Sequence, residues 1–369
     1  MSVTAAQIDT ALKGVAGPVA YSFRLDVLDA NEVRLSDVTT SVTAASIQVD
    51  ITRDVVGSAS FTLAVDGLVD SLANRLKPWM RLLVAGEIVE FPLGVYLPKK
   101  PQRTSNAREV QPAYACYDKG VILQQNLLTT PYTASAGDNY ISDVSSIAVT
   151  AGIPAAQQAL TATSSTLPTA KTWDIGVSRL KVCNDLLDMI NYQHVWFDAN
   201  GIMRTNPIRL LSQTAPAVTY QTDVASMIVP DVQDDWDDSQ TANCIVVVCK
   251  DPSRAAFSAT YTNSNPASRA STVTLGRTIT RKIDQNGLNS VTEAQALAQQ
   301  QCELAAAGLH RVTLQTSLDP RRQPYEAYDI EVTSVGSIVL TGKYWCTGWT
   351  MDLKTGGLMK HTLSRVEPI

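Results

Sequence analysis

Histidine is scarce in this chain, with three residues in 369, which leaves a catalytic triad or a histidine-built metal centre few parts to use. His194, His310 and His361 each read as surface or cross-strand residues. None of the six cysteines stands at a metal-ligand spacing such as Cys-x-x-Cys. Cys244 and Cys249 fall on opposite faces of one strand, and free buried thiols are expected in place of disulfides. No Gly-x-Ser-x-Gly elbow, phosphate loop or dinucleotide fingerprint occurs, so no catalytic and no cofactor-binding residue is assigned. No stretch reaches the length of a membrane span, and Met1 to Gly17 lacks the basic start and apolar run of a secretory signal. The chain is expected to be soluble and made in the cytoplasm. Charge is also limited: 18% of residues are charged, and a net charge of −5 argues against nucleic-acid binding as the main task.

What is abundant is Ala, Thr, Ser and Val, with 6% aromatics, a composition suited to many short strands over thin apolar layers. The length allows two or three cores. Ala5 to Val15 reads as a short amphipathic helix closed by Gly17-Pro18. Strands follow at Tyr21 to Leu28, Ser46 to Thr52, Ser58 to Val65, Trp79 to Val84, Ile88 to Leu97 and Val110 to Tyr117. The middle is α+β: Ile141 to Ala151 is a helix, Ser178 caps another running to about Tyr192, and Trp196 to Met203 is a hairpin with Asp198 to Gly201 at its tip. Strands resume near Val218, Asn243 to Lys250 is an apolar run, Phe257 to Thr262 follows, and Ser290 with Glu293 opens a helix ended by Gly308. Arg311 to Ser317, Tyr328 to Thr333 and Ser337 to Leu340 lead to a last hairpin.

That hairpin has the clearest pattern. Trp345, Thr347, Trp349, Met351 and Leu353 alternate with Tyr344, Cys346, Thr350 and Asp352, and Thr355-Gly356-Gly357 supplies a turn. A three-residue loop sets Leu353 opposite Met359, Trp349 opposite Leu363 and Asp352 opposite Lys360, with Gly357 left-handed; pairs so matched stabilise by roughly 0.2–1 kcal/mol each. An internal echo adds to this. Arg81 to Tyr96 and Asp329 to Tyr344 share a strand, a glycine turn (Gly86, Gly336), a second strand and a Gly-x-Tyr (Gly94 to Tyr96, Gly342 to Tyr344). The two β regions therefore read as copies of one barrel.

Three groups remain as candidate sites. Asp234, Asp235, Asp237 and Asp238 form an acidic loop around Trp236 that could hold calcium, although the EF-hand spacing is absent; a solvated loop is the plainer reading. Glu87 with Glu90, and Asp185 with Asp188, are too close in sequence to suggest more than polar faces. Arg321 and Arg322, between Pro320 and Pro324, read as a rigid exposed loop and a candidate partner contact. Exposed-looking Trp236 and Asn263 would suit a carbohydrate-binding or adhesive β protein.

The order of several short motifs resembles bacteriophage tail-tip and baseplate hub proteins, including the hub region of siphophage tail-associated proteins. They are Glu90-Phe91-Pro92-Leu93-Gly94-Val95-Tyr96, Ala115-Cys116-Tyr117-Asp118, Trp173-Asp174-Ile175-Gly176, Leu186-Leu187, Trp196-Phe197-Asp198 through Gly201, Asn243, Asn263 to Pro266, Glu293 to Leu304, and Gly342-Lys343-Tyr344 with Met359-Lys360-His361. The resemblance implies a mainly β fold of two similar antiparallel β-barrels with α+β insertions. The expected division is 1–17 as an N-terminal segment, 18–126 as the first barrel, 127–215 with about 276–308 as the insertion, and 216–275 with 309–369 as the second barrel. It further implies a non-enzymatic homotrimer in the virion, assembled in the host cytoplasm. Its partners would be a hexameric distal tail protein, the C-terminus of a tape-measure protein, and tip or fibre proteins, with DNA passing through the lumen unbound. Ending at Ile369, the chain is expected to be a hub without an appended effector domain.

Overall fold

The computed structural model describes residues 3–15, 17–105, 110–223, 226–237, 241–250, 255–285, 287–288, 290–335 and 338–369. The fold is mainly β, with 43% of residues in strands and 19% helical. The largest sheet contains 15 strands and joins both β regions. In the first region its strands run, side by side, Val42–Asp50, Gly57–Leu63, Val110–Asp118, Tyr96–Pro98, Arg75–Val84 and Tyr21–Leu28. In the second they run Ile228–Trp236, His310–Ser317, Leu358–Arg365, Ile338–Asp352, Ala327–Val335 and Pro216–Gln221. The two orders correspond strand for strand.

The correspondence extends to register. Tyr96 opposes Asp118 as Tyr344 opposes Arg365, and Pro98 opposes Cys116 as Cys346 opposes Leu363. An irregularity follows in each, after which Gln102 opposes Ala113 as Thr350 opposes Lys360. Val49 opposes Gly57 as Trp236 opposes His310, and Ser58 opposes Tyr117 as Arg311 opposes Ser364. The glycines of the sequence echo share a conformation that favours glycine: Gly94 has φ 118° and Gly342 φ 111°. Each lets its strand bend so that the next tyrosine, Tyr96 or Tyr344, enters the core. Gly336 and Ser337 lie outside the described residues. The copies differ at one end, where Tyr21–Leu28 is antiparallel to its neighbour and Pro216–Gln221 parallel.

One ladder joins the copies: Gly348–Asp352 pairs antiparallel with Ser46–Asp50. A single apolar core then spans both regions, with Ile47, Phe61, Met80 and Tyr114 from the first and Leu314, Ile330, Met351 and Leu363 from the second. Strand alternation supplies these side chains, and burying each is worth roughly 1.5–3 kcal/mol.

The last hairpin departs from the expected three-residue loop. Met351 opposes Met359, Trp349 opposes His361 and Thr350 opposes Lys360, so the strands end at Asp352 and restart at Leu358. The shift of two residues keeps the side chains from Trp349 to Leu353 on their expected faces. Its cause is the adjacent strand: the Leu353 N–H donates to the Ala45 carbonyl at 2.9 Å, drawing the chain away from Leu358. Gly356 is the left-handed residue (φ 70°), whereas Gly357 is required by crowding, since a Cβ there would lie 2.1 Å from the Asp352 carbonyl oxygen. A bulge at Thr347 also reverses the faces before it. Tyr344 and Cys346 enter the main core with Trp349, while Trp345 packs on Leu211, Ala307 and Ala327.

Of the two roles expected for His361, the structure shows the cross-strand one, with the side chain fully buried and not at the surface. It sits between the rings of Tyr220 and Tyr328, each 5.5 Å away, with Nε2 3.0 Å from Thr316 Oγ1. Burial pushes its pKa down to about 3. All six cysteines are free and buried.

The remaining segments form two insertions. Helices Tyr140–Ala151 and Arg179–Met189, capped by Asn139 and Ser178 as Ser and Asn side chains do, build the core of the first. In the second, Cys244–Cys249, Phe257–Thr262 and Thr280–Asp284 form their own three-stranded sheet under the helix Val291–Ala307. The strands near 244–262, expected in the second barrel, thus pair among themselves, and the helix packs on them. The two insertions touch at Gly287, whose carbonyl accepts from Tyr140 Oη at 3.4 Å.

At the joining ladder, a Cβ on Gly348 would lie 2.6 Å from the Val49 carbonyl oxygen. Gly348→Ala is expected to lower stability by about 1–3 kcal/mol, read as a drop in the urea midpoint; an unchanged midpoint contradicts the crowding. Burial lowers the His361 pKa from the ordinary 6.5 to about 3, so between those values folding makes the imidazole release a proton. Its contribution is present above the ordinary value and lost below it, by up to about 1.4 kcal/mol per pH unit. His361→Gln should therefore flatten the fall in Tm between about pH 7 and pH 4.5, and equal slopes in the two proteins would refute this.

Candidate assembly surfaces

The arginine loop turns inward. Asp319 is wholly buried and accepts from Arg321 N–H at 3.1 Å, Nε at 2.8 Å and Nη2 at 2.9 Å, with Arg322 Nε 3.3 Å away. Burial works to raise its pKa, yet the two guanidiniums hold it below the ordinary carboxylate range. Arg322 is buried, reaches Glu326 at 3.2 Å, and lies over the Tyr328 ring. Burial pushes Glu326 up to about 7 against the pull of Arg322. Arg321 also holds Asp9 of the N-terminal helix Ala5–Leu12. Both arginines, expected as partner contacts, are therefore internal ties.

Beside this loop, a cavity of about 40 Å³ is lined by Val49, Tyr96, Asp118, Phe197, Arg322 and Trp349. It has room for water and no substrate. Asp118 accepts from the N–H groups of Gly57 (2.6 Å) and Gly120 (2.8 Å), and burial pushes its pKa up to about 7. Its oxygens thus tie backbone segments together. Glu90 is held by Arg24 and Arg81, Asp185 by Lys181 and Asp188 by His194.

The acidic segment is a strand, which its charge concealed. Asp234, Asp235 and Trp236 lie opposite Val312, Arg311 and His310 at the end of the large sheet. Alternation sends Asp234 and Asp235 to opposite faces, so they cannot converge on one cation. Asp234 is hydrogen-bonded to His310, Asp237 is exposed, and Asp238 lies outside the described residues. Among the described residues no three His, Cys, Asp or Glu side chains gather as a metal site. The Trp236 ring stacks on His310 at 4.0 Å and carries Arg269 at 4.5 Å, so its faces are occupied. Asn263 is buried and bonded to Ser268. Asn263 is thus an internal contact, whereas Trp236 has both ring faces occupied but keeps 45% of its surface exposed.

A basic counterpart escaped the sequence reading. Lys99, Lys100 and Arg103 surround Pro101 beside the outer strand Gln102–Ser105, and all three are exposed. Lys99 lies over Tyr117 and Arg103 pairs with Asp66 at 3.1 Å. The clustering of three cations within five residues was the available signal.

No family model and no curated protein matches the chain. Solved structures do. The tail protein from Neisseria meningitidis aligns with a TM-score of 0.64 and 12% identity, over 93% of this chain and 97% of its own. The 43 kDa tail protein of prophage MuSo2 from Shewanella oneidensis gives 0.63 and 10%, over 94% and 98%. The PdpA–VgrG complex from Francisella gives 0.52 and 8%, over 95% of this chain and 59% of that one. The chain has the fold of phage tail proteins.

Removing one partner of a buried ion pair strands the other, at a cost of about 3–5 kcal/mol. Asp319→Ala is expected to destabilise the protein by that order, seen as a large fall in Tm. A change typical of surface positions would show that Arg322 finds solvent instead.

Proposed function

We propose that this chain is a structural hub of a phage tail tip, a homotrimer in which each copy contributes two similar barrel-like β units. Three copies set six such units around a passage for DNA, matching a hexameric distal tail ring. The observation that supports this reading most is the repeat of strand order and register within one chain. Near-equivalent units are what a threefold assembly needs in order to meet a sixfold one. The tail-protein fold supports a role in the virion tail, and assembly in the host cytoplasm belongs to the same reading.

The accompanying division is residues 18–118 for the first unit, 119–215 for the first insertion, and 216–369 for the second unit, interrupted by the second insertion at 241–309. The task is mechanical. Perturbed groups such as Asp118 and Glu326 are held in backbone and ion-pair contacts, and the cavity beside Asp118 is water-sized. Partners in this reading are the distal tail hexamer, the tape-measure C-terminus, and tip or fibre proteins. The net charge of −5 favours a lumen that does not hold DNA.

Native mass spectrometry tests the reading. A species of three times the 39.8 kDa chain mass is expected, alone or with the ring protein. A stable monomer that binds glycans would support an adhesive protein instead.

A further inference from the structure

One edge of the second β unit is open where the first unit covers the same edge with a strand of its own. Tyr21–Leu28 pairs with Arg75–Val84 on one side and with Arg34–Asp37 on the other. Its counterpart Pro216–Gln221 pairs with Ala327–Val335, and among the described residues no strand takes its other side. A cavity of about 270 Å³ lies there, lined by Ala217, Thr219 and Gln221 of the strand with Met227, Lys13 and Arg321. We infer that this gap docks an extended, acidic segment of another protein, which adds to Pro216–Gln221 as the missing strand. Every element of the site belongs to one chain, so the inference is separate from the trimeric reading.

The backbone is presented for such a partner. Thr222 N–H donates to the Glu331 carbonyl at 3.2 Å, which sets the side to which each residue of the strand turns. Alternation then directs the N–H and C=O of Tyr220 to Ala327–Val335, and those of Thr219 and Gln221 to the open edge. Thr219 is exposed and Gln221 half-buried. Open-edge groups of this kind are a template for an added strand, and main-chain hydrogen bonds supply the affinity when a peptide takes the place.

Charge selects the partner. Asp9 and Lys13 line the gap from the N-terminal helix and Arg321 and Arg322 from the arginine loop, three cations to one carboxylate. Asp319 balances the two arginines from beneath. Lys13 is exposed, and Arg321 turns its Nη1 to Asp9 at 2.5 Å, on a side chain that is 53% exposed. Asp9 thus holds the place that an acidic side chain of an added strand would take. Exchanging one exposed ion pair for another costs little. The first unit shows the filled arrangement with the signs reversed, since Arg34 of its added strand reaches Asp26 of the edge strand at 2.8 Å. Alternate residues of an extended segment share a face, so acidic residues at every second position would meet Lys13 and Arg321 together.

The test uses the full chain and a fluorescein-labelled peptide alternating valine with aspartate. Saturable binding by fluorescence anisotropy is expected, with slowed hydrogen exchange of the amides in 217–221. The same peptide with lysine in place of aspartate should bind at least about tenfold more weakly, and Lys13→Glu should weaken the aspartate peptide by about tenfold with Tm unchanged. Thr219→Pro removes an amide that the existing ladder does not use, and it should abolish binding. Absence of binding, or equal binding of the two peptides, overturns the inference. Binding without slowed exchange at 217–221 also overturns it, and that readout on the unaltered protein stands even where Thr219→Pro fails to fold. Protection of 217–221 that rises with protein concentration in the absence of peptide assigns the edge to a second copy and overturns it as well.

Discussion

The antiparallel ladder between Ser46–Asp50 and Gly348–Asp352 is the contact on which the rest of the architecture depends. Each β unit has short strands and few aromatics, and neither has a core of its own in the structure: Ile47, Val49, Trp349 and Met351 belong to one cluster that runs through both. The ladder is possible because the strand Ile338–Asp352 serves three neighbours along its length. Its first half pairs with Ala327–Val335 and its second with Leu358–Arg365, and its last five residues also meet the first unit. The bulge at Thr347 makes the change of partner feasible. It brings Gly348, with no side chain, against the Val49 carbonyl. A feature that looks like a local irregularity in the hairpin is therefore the joint of the whole chain.

The first insertion reinforces that joint at both copies of the same bend. Gly94 N–H donates to the Ala199 carbonyl at the tip of the Trp196 to Met203 hairpin, and Gly201 rests on Val95 so closely that a Cβ would lie 2.8 Å from it. Next to the equivalent bend at Gly342, Lys343 Nζ donates to the carbonyls of Ser212 and Thr214 at the insertion's far end. Between them, the buried Lys119 ammonium donates to Glu32 (2.6 Å), Gln157 (2.5 Å) and the Gly201 carbonyl (2.8 Å), although burial lowers its pKa. These polar ties contribute less to net stability than apolar residues of the same volume would. What they supply is direction, since each is satisfied in one relative placement of unit and insertion.

Much of the local structure is legible in the sequence because local chemistry decides it. Tyr21–Leu28 alternates, Ser178 and Ser290 cap their helices through the N–H of Lys181 and Glu293, and the Asp198–Gly201 tip turns as its residues require. The Gly-x-Tyr echo points to a true repeat because a left-handed residue before a buried tyrosine leaves a mark in composition. Other features depend on neighbours that a single segment does not reveal. The strand Ile228–Trp236 is acidic at its end and reads as a loop, since its pairing with His310–Ser317 leaves little apolar pattern. The hairpin register shifted because Ala45, some three hundred positions away in sequence, competes for the Leu353 amide. Arg322 looks exposed between its prolines until Asp319 is seen beneath it.

Housing the repeat in one chain lets the seam between its two units differ in character from their outer edges. In this chain the internal seam is apolar: Ile47 with Met351 and Val49 with Trp349 are removed from water as the protein folds, worth several kcal/mol together. The corresponding external edges carry Asp234 and Arg103. A charged edge of this kind stays soluble, where an apolar strand edge would invite aggregation. The apolar contact is thereby kept inside the chain, and the charged strands lie at its outer edges.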